Sequence, residues 1–307
     1  MIGKGEENVL LDTKKFLNDT YVPYSENVSA KKLCSFCVGG DVKLVARPQS
    51  KEQMKLILDY LKINNKKHIV LGKGSNVVFS DEGFDGVLVL THGLDKISCN
   101  GKVIEAGVGV SMLKLARCAE ENSLTGLEFA HGIPGSVGGG VYMNAGAYGG
   151  EISGRLITCE CYDCKSQKFL TFENADCDFS YRHSIFQENK DLIVLSAAFS
   201  LDVGEKREIR KTMNELKAKR AEKQPLEYPS AGSTFKRPEG HFAGKLIEDC
   251  GLKGYCVGGA VVSEKHAGFV VNTGGATASD IKEIVEHIKD TVDKRFGVSL
   301  ECEIEFI

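Results

Sequence analysis

No stretch of this chain is apolar for long enough to cross a membrane. A helical span needs about 18 apolar residues in a row, and the longest runs here, such as His68–Leu71 and Gly86–Leu90, have strand length. The N-terminal segment MIGKGEENVLLDTKKFLND lacks the continuous apolar stretch of a signal peptide. These absences predict a cytoplasmic chain with no membrane partner. A strong charge bias is missing as well. The net charge is −3 and Lys and Arg are spread along the chain, which argues against a nucleic-acid partner but leaves room for a local basic pocket for phosphates. No internal repeat or low-complexity tract is present. A hydrophobic fraction of 42% and a charged fraction of 26% are those of a globular protein. At 307 residues the chain exceeds one ordinary core and suits two domains.

The 11 cysteines do not read as a secreted disulfide framework, because the count is odd and the chain long. Two Cys-x-x-Cys pairs occur, Cys34/Cys37 and Cys161/Cys164, with Cys159 beside the second. A zinc ribbon sets such pairs about 15–20 residues apart. Here they lie more than a hundred residues apart, in segments that read as strand. Reduced, mostly structural thiols are expected and no metal site, with a zinc or redox role as the alternative.

Periodicity divides the chain into alternating elements. Residues 50–64 read as a helix capped by Ser50, with Met54, Ile57, Leu58 and Leu61 on one face. Buried strands are expected at His68–Gly72 and Gly86–Thr91. Ile97–Ala106 reads as a hairpin, with Asn100–Gly101 supplying the positive φ angles of its turn. Ser111–Asn122 returns to helical spacing, with Leu115, Cys118 and Ala119 on one side. A further hairpin is expected over Leu156–Phe172 and a strand over Asp191–Leu201. The charged run Glu205–Gln224 then reads as a helix ending before Pro225. Apolar segments at 255–262 and 268–272, a helix at 278–295 and a terminal strand Ser299–Ile307 follow. The expected boundary lies near residue 204, and the fold class is α+β in both parts.

Two glycine clusters follow apolar strands: Leu71-Gly-Lys-Gly-Ser-Asn76, and Gly132-Ile-Pro-Gly-Ser-Val-Gly-Gly-Gly140 continuing to Gly150. Glycines let the backbone approach a ligand, and successive N–H groups make a concave anion site suited to a pyrophosphate. Ser75, Asn76 and Ser136 can add hydrogen bonds. Neither cluster is a Walker loop, which ends in Gly-Lys-Ser/Thr, and the Rossmann pattern needs a third glycine where Val77 stands. Tight turns and bulges in a β-rich domain account for the first cluster about as well as a ligand does. They account less well for the second.

Polar groups in apolar contexts mark three more segments: Phe179–Phe186, Tyr228–Pro238 and Lys265–Asn272. Arg182 beside Tyr181 reads either as a clamp for carboxylate or phosphate, whose planar fork accepts two oxygens, or as a surface ion pair. Ser233 follows Gly232 and reads as a turn serine as readily as a reactive one. His266 more often marks a structural histidine than a base. Period-2 alternation puts Glu301, Glu303 and Glu305 on one strand face and Cys302, Ile304 and Phe306 on the other. A solvated face is the simpler account of the carboxylate row.

Together these segments resemble the UDP-N-acetylenolpyruvoylglucosamine reductase family, also called UDP-N-acetylmuramate dehydrogenase. The matching stretches are LGKGSN, LEFAHGIPGSVGGGVYMNAGAYGG, YRHSIF, AGSTFKRP, HFAGKLIE, KHAGFVVN and LECEIEFI. They run in family order from about residue 36 to the C-terminus, and the lack of an insert after KHAGF resembles the shorter, second type. The resemblance implies an α+β fold: a FAD-binding domain of the vanillyl-alcohol-oxidase type over 1–204 and a smaller α+β substrate-binding domain over 205–307. It implies non-covalent FAD, NADPH as co-substrate, and UDP-N-acetylglucosamine enolpyruvate as substrate, in peptidoglycan precursor synthesis by a monomer.

By motif, the resemblance assigns the flavin to Gly39, Gly40, Gly72, Lys73, Gly74, Ser75, Asn76, Gly132, Ile133, Pro134, Gly135, Ser136, Gly138, Gly139, Asn144, Gly146 and Ala147. It assigns carboxylate clamping to Arg182, assistance at the same carboxylate to Glu303, and proton donation to Ser233. Lys223 matches a lysine near the UDP pyrophosphate, and Tyr181, Lys236, Arg237, His266 and Asn272 are expected to line the substrate. The chain departs from the common pattern at Cys37, where a basic or polar residue is frequent, and at Arg237, which is asparagine in the longer type.

Overall fold

The computed structural model describes residues 4–307, with side chains from residue 11 onward. A helix that no sequence signal had suggested, Lys4–Asp19, opens it. Its Phe16 ring stacks on Tyr60 at 4.0 Å, and its Leu17 is fully buried. The chain then divides into two compact units. The first holds the segments up to Val28, Val42–Lys73 and Asp85–Leu216; the second holds Ser29–Asp41, Gly74–Phe84 and Lys217–Ile307.

The first unit is built on two sheets. One has the strand order Tyr24–Ser29, Asp41–Ala46, Phe84–Leu90, His68–Leu71, and its last pair is parallel. The other runs Lys168–Glu173, Leu156–Asp163, Leu192–Ser200, Val103–Gly107, Ile97–Asn100, antiparallel throughout. The helix Lys51–Ile63 forms as its spacing predicts. Ser50 caps it by accepting from Gln53 N, and Met54, Ile57, Leu58 and Leu61 are all fully buried. These side chains join strand residues Val87, Val89 and Ile104, the turn residue Val108 and the helix Met112–Glu121 in one hydrophobic core.

The second unit carries a three-stranded antiparallel sheet of Cys256–Val257, Ala260–Val262 and Val270–Asn272 and the helix Ala278–Phe296. That helix has a reciprocal Thr277/Asp280 capping box and ends at Gly297 with φ +64. Ala278, Ile281, Ile284, Val285, Ile288 and Val292 form its buried stripe.

Several expectations need correction. A single cut near residue 204 does not describe the units, because residues 29–41 and 74–84 belong with the last hundred residues. The reason is long-range pairing. Val77–Val78 pair in parallel with Glu305–Phe306, Asp81 accepts from Ala278 N and Ser279 N at 2.7 and 2.9 Å, and Asn272 Nδ2 donates to Phe36 O at 3.1 Å. The terminal strand shrinks to Glu305–Phe306, preceded by a lone bridge between Cys302 and Phe235. Cys34 and Cys37 lie in a turn rather than a strand, with Cys37 at φ +57. In the 97–107 hairpin Asn100 pairs with Val103, so Gly101 and Lys102 make the turn and Gly101 alone takes positive φ. Cys118 is only partly buried, unlike Leu115 and Ala119. In the strand 68–71 only Leu71 is buried. Among the described residues no helix is long and apolar enough to cross a membrane.

Candidate active site

In the first unit the strand 68–71 delivers Gly72 against Ser136. A Cβ at Gly72 would sit 2.3 Å from Ser136 Oγ, so only glycine fits. Ser136 is 1% exposed and caps the short helix Val137–Tyr142 by accepting from Gly139 N at 3.5 Å. A Cβ at Gly139 would meet nothing nearer than the same oxygen, at 3.8 Å, so the backbone there is bare. Gly138, by contrast, is required by packing on Val108. Two neighbours of Gly72 escaped the sequence reading. Thr91 Oγ1 is buried without a hydrogen-bond partner and lies 4.0 Å from the same Cβ position. The His92 ring bonds to the Gly72 backbone, and desolvation outweighs that bond and pulls its pKa below the ordinary value. Both lie in the turn Thr91–Gly93 just after the strand Phe84–Leu90, where periodicity marks no function. Lys73 is exposed.

The same unit holds Arg182 in a tight turn closed by Ser180 and His183. Arg182 has φ +55, a conformation that costs a non-glycine residue about 1–2 kcal/mol. Its Nη2 donates to Gly146 O at 3.1 Å and its guanidinium carbon lies 5.1 Å from the Tyr181 ring centre. Asn144, also left-handed at φ +42 and 1% exposed, donates to Ser180 O and accepts from Ser153 N, both at 2.9 Å. Its amide is engaged with the protein at both ends and so braces the segment. Gly132, Ile133, Pro134, Gly135 and Ala147 share this unit.

In the second unit the segments that carry Ser233 and Glu303 come together through a short antiparallel pairing. Glu303 N donates to Thr234 O at 2.9 Å, Lys236 N donates to Glu301 O at 2.8 Å, and Phe235 bridges Cys302. Ser233 therefore lies one register position from Glu303. Thr234, 1% exposed, anchors the segment: its N–H donates to Gly268 O at 2.9 Å and its Oγ1 accepts from Val270 N at 3.1 Å. Gly232, at φ +78 with open space around it, makes the turn before Ser233. Asn76 Nδ2 donates to Glu303 O at 2.8 Å and Asn76 O accepts from Glu305 N, so Asn76 braces the glutamate.

The remaining expected residues are also placed. Lys236 Nζ pairs with Glu301 at 2.5 Å, and Arg237 lies 3.9 Å over the exposed Phe242 ring. His266 Nδ1 accepts from Gly268 N at 3.1 Å, so its Nε2 carries the proton, and desolvation lowers its pKa. Lys223 ends the helix Lys206–Lys223 and is exposed. Asn272 accepts from Gly274 N and Ala276 N as well as donating to Phe36 O, so its side chain shapes its own loop. Gly39, Gly40 and Gly74 have a packing reason to be glycine: a Cβ would come within 2.6 Å of Phe79, 2.4 Å of Asp81 O and 2.1 Å of Leu33 O respectively. They and Ser75 lie in the second unit; Gly72 and Gly132–Gly150 lie in the first.

Residues 42–162 match the model of a FAD binding domain, and residues 224–307 match that of the UDP-N-acetylenolpyruvoylglucosamine reductase C-terminal domain. UDP-N-acetylenolpyruvoylglucosamine reductase of Clostridium beijerinckii is 48% identical over 88% of each chain. That of Caldanaerobacter subterraneus subsp. tengcongensis is 44% identical over 98% of this chain and 96% of its own. The crystal structure of the reductase from Thermus caldophilus superposes with a TM-score of 0.78 at 32% identity, covering 93% of this chain and 98% of that one. FAD is the cofactor of this fold, and the residues suit it. Gly132–Gly150 contains no Asp or Glu to repel a pyrophosphate, and Gly72 leaves backbone without side chain beside the partnerless Thr91 hydroxyl. The chain is a flavin-dependent oxidoreductase and belongs to the UDP-N-acetylenolpyruvoylglucosamine reductase family.

Proposed function

We propose that the chain reduces the enolpyruvyl group of UDP-N-acetylglucosamine enolpyruvate to UDP-N-acetylmuramate with NADPH as reductant, in cytoplasmic peptidoglycan precursor synthesis and as a monomer. Bound FAD supplies the hydride that the vinyl CH2 carbon receives. The protein then has two tasks: to stabilise the negative charge that spreads from the neighbouring carbon into the substrate carboxylate, and to deliver a proton to that carbon.

Arg182 performs the first task, because a guanidinium fork pairs with two carboxylate oxygens and stabilises charge that grows as the reaction proceeds. Glu303 assists at the same carboxylate as a protonated or hydrogen-bonded group, since a bare anion there would repel the enolate. Ser233 performs the second task. A serine is a weak acid and works only beside a tuned neighbour; we assign that part to Glu303, whose segment is paired with the Ser233 segment through the Glu303 N to Thr234 O bond of 2.9 Å. This pairing is the observation that carries the reading. Lys223 holds the substrate pyrophosphate, and Tyr181, Lys236, Arg237 and His266 contribute to the lining. Gly72, Ser136, Gly139 and the rest of Gly132–Ala147 cradle the flavin phosphates.

The test separates the half-reactions. Ser233→Ala leaves bleaching of the flavin by NADPH at the wild-type rate and slows reoxidation by the enolpyruvyl nucleotide about 100-fold or more. Equal loss in both halves would remove Ser233 from the proton-donor role.

A further inference from the structure

Arg182 sits in a left-handed turn, and a turn of that kind persists only where its surroundings hold it. The side chain that holds its main chain is Gln187, a residue outside the catalytic set. Gln187 Nε2 donates to Arg182 O at 2.9 Å and to Tyr142 O at 2.9 Å. An amide nitrogen has two hydrogens, and two carbonyls receive them. One of those carbonyls belongs to the arginine turn, the other to the last residue of the helix 137–142 within the glycine segment. Ser184 Oγ donates to the same Tyr142 O at 2.7 Å. At the far side of the turn Arg182 Nη2 reaches Gly146 O at 3.1 Å. The arginine is thus tied to the glycine segment through its backbone by Gln187 and through its side chain by its own guanidinium.

We infer that Gln187 is a positioning residue for the reaction: it fixes the Arg182 backbone against the Tyr142–Gly146 segment, so that the guanidinium meets the substrate carboxylate in one orientation. This deepens the role proposed above for Arg182 and rests on it. The chemistry requires an amide at this position. Methionine has similar length but donates nothing, and glutamate keeps the shape while turning a carboxylate toward two carbonyl oxygens. Misplacing a charge-stabilising group by about 1 Å costs on the order of 100-fold in rate. The loss falls on the step that uses the arginine and spares reduction of the flavin.

The experiment is a double-mutant cycle in the FAD-loaded enzyme, with flavin reduction by NADPH and flavin reoxidation by the enolpyruvyl nucleotide timed separately. Gln187→Met slows reoxidation about 10- to 100-fold, leaves reduction unchanged, and adds no further loss in an Arg182→Ala background. Gln187→Glu gives the same pattern near neutral pH and supplies the test if the methionine variant does not fold. Losses that multiply in the Arg182→Ala background, or a wild-type reoxidation rate in a Gln187 variant while Arg182→Ala is slow, overturn the positioning role alone. A wild-type rate for Arg182→Ala itself overturns the role of the arginine, and this inference with it.

Discussion

Gly72→Ala tests the contact on which the flavin cradle rests, because the clash it creates has one source. Gly72 has an ordinary φ, so alanine is conformationally acceptable and the cost is one of space. The new Cβ would lie 2.3 Å from Ser136 Oγ, while the next atoms, Ser136 Cβ and Thr91 Oγ1, stand at 3.5 and 4.0 Å. Relieving the overlap requires roughly 1 Å of movement in a packed site, which costs about 1–3 kcal/mol. If Ser136 turns away instead, the cap on helix 137–142 goes with it, at about 1 kcal/mol. Either route costs about 1–3 kcal/mol, a fall of roughly 2–5 °C in the midpoint of thermal unfolding for a chain of this length. The chain has no tryptophan, so unfolding is followed by circular dichroism at a fixed excess of FAD. Ser136→Ala removes the offending oxygen. In that background Gly72→Ala meets only a methyl group at 3.5 Å and costs close to nothing. An equal cost of Gly72→Ala in both backgrounds would refute the reasoning.

The other predictions concern the second unit and the thiols. Asp81→Ala destabilises the protein by about 1–2 kcal/mol at neutral pH by uncapping the helix 278–296. Burial pushes the Asp81 carboxyl up, but the donors Ala278 N, Ser279 N and Ser279 Oγ outweigh it and hold its pKa below the ordinary value. The stabilisation is therefore full above the unfolded carboxyl pKa of about 4 and vanishes as pH falls through the lower folded value; denaturant unfolding of both proteins between pH 3 and 8 checks this at roughly unit steps. A thiol reagent labels the exposed Cys37 and Cys256 of the native protein ahead of all others. Cys159, Cys161, Cys164 and Cys177 react only after unfolding, since all four are buried; burial pushes Cys164 up to about 12, and contact with a neighbouring thiol raises Cys177 strongly.

The elements legible in the sequence were those defined by local pattern. The helix 51–63 announces itself through its Ser50 cap and an apolar stripe of period 3.6, and the 97–107 and 156–173 hairpins through alternation and turn residues. What stayed hidden depends on partners distant in sequence. Val77–Val78 give no local sign that Glu305–Phe306 will pair with them, and so the discontinuous second unit could not be drawn from composition. The terminal segment alternates like a strand, yet its pairing is a lone bridge and a two-residue ladder.

The site shows the same division. The glycine clusters stood out, but their separate reasons did not. Gly39, Gly40 and Gly74 are glycine because the backbone and side chains of their own unit crowd them, whereas a Cβ at Gly139 would touch only Ser136 Oγ, at 3.8 Å. Nothing in the letters Tyr-Arg-His-Ser marks Arg182 as left-handed, because positive φ is signalled by glycine and asparagine and not by arginine. Nor does sequence bring the Ser233 and Glu303 segments together; the bond from Glu303 N to Thr234 O, between segments some seventy residues apart, does that.

The central claim is that this chain reduces an enolpyruvyl nucleotide with electrons from NADPH held on FAD, and an absorbance spectrum of the purified protein tests it most directly. The account predicts a flavin spectrum that bleaches with NADPH under anaerobic conditions and returns when UDP-N-acetylglucosamine enolpyruvate is added. A colourless protein, or a bleached flavin that oxygen reoxidises and the nucleotide does not, would contradict it.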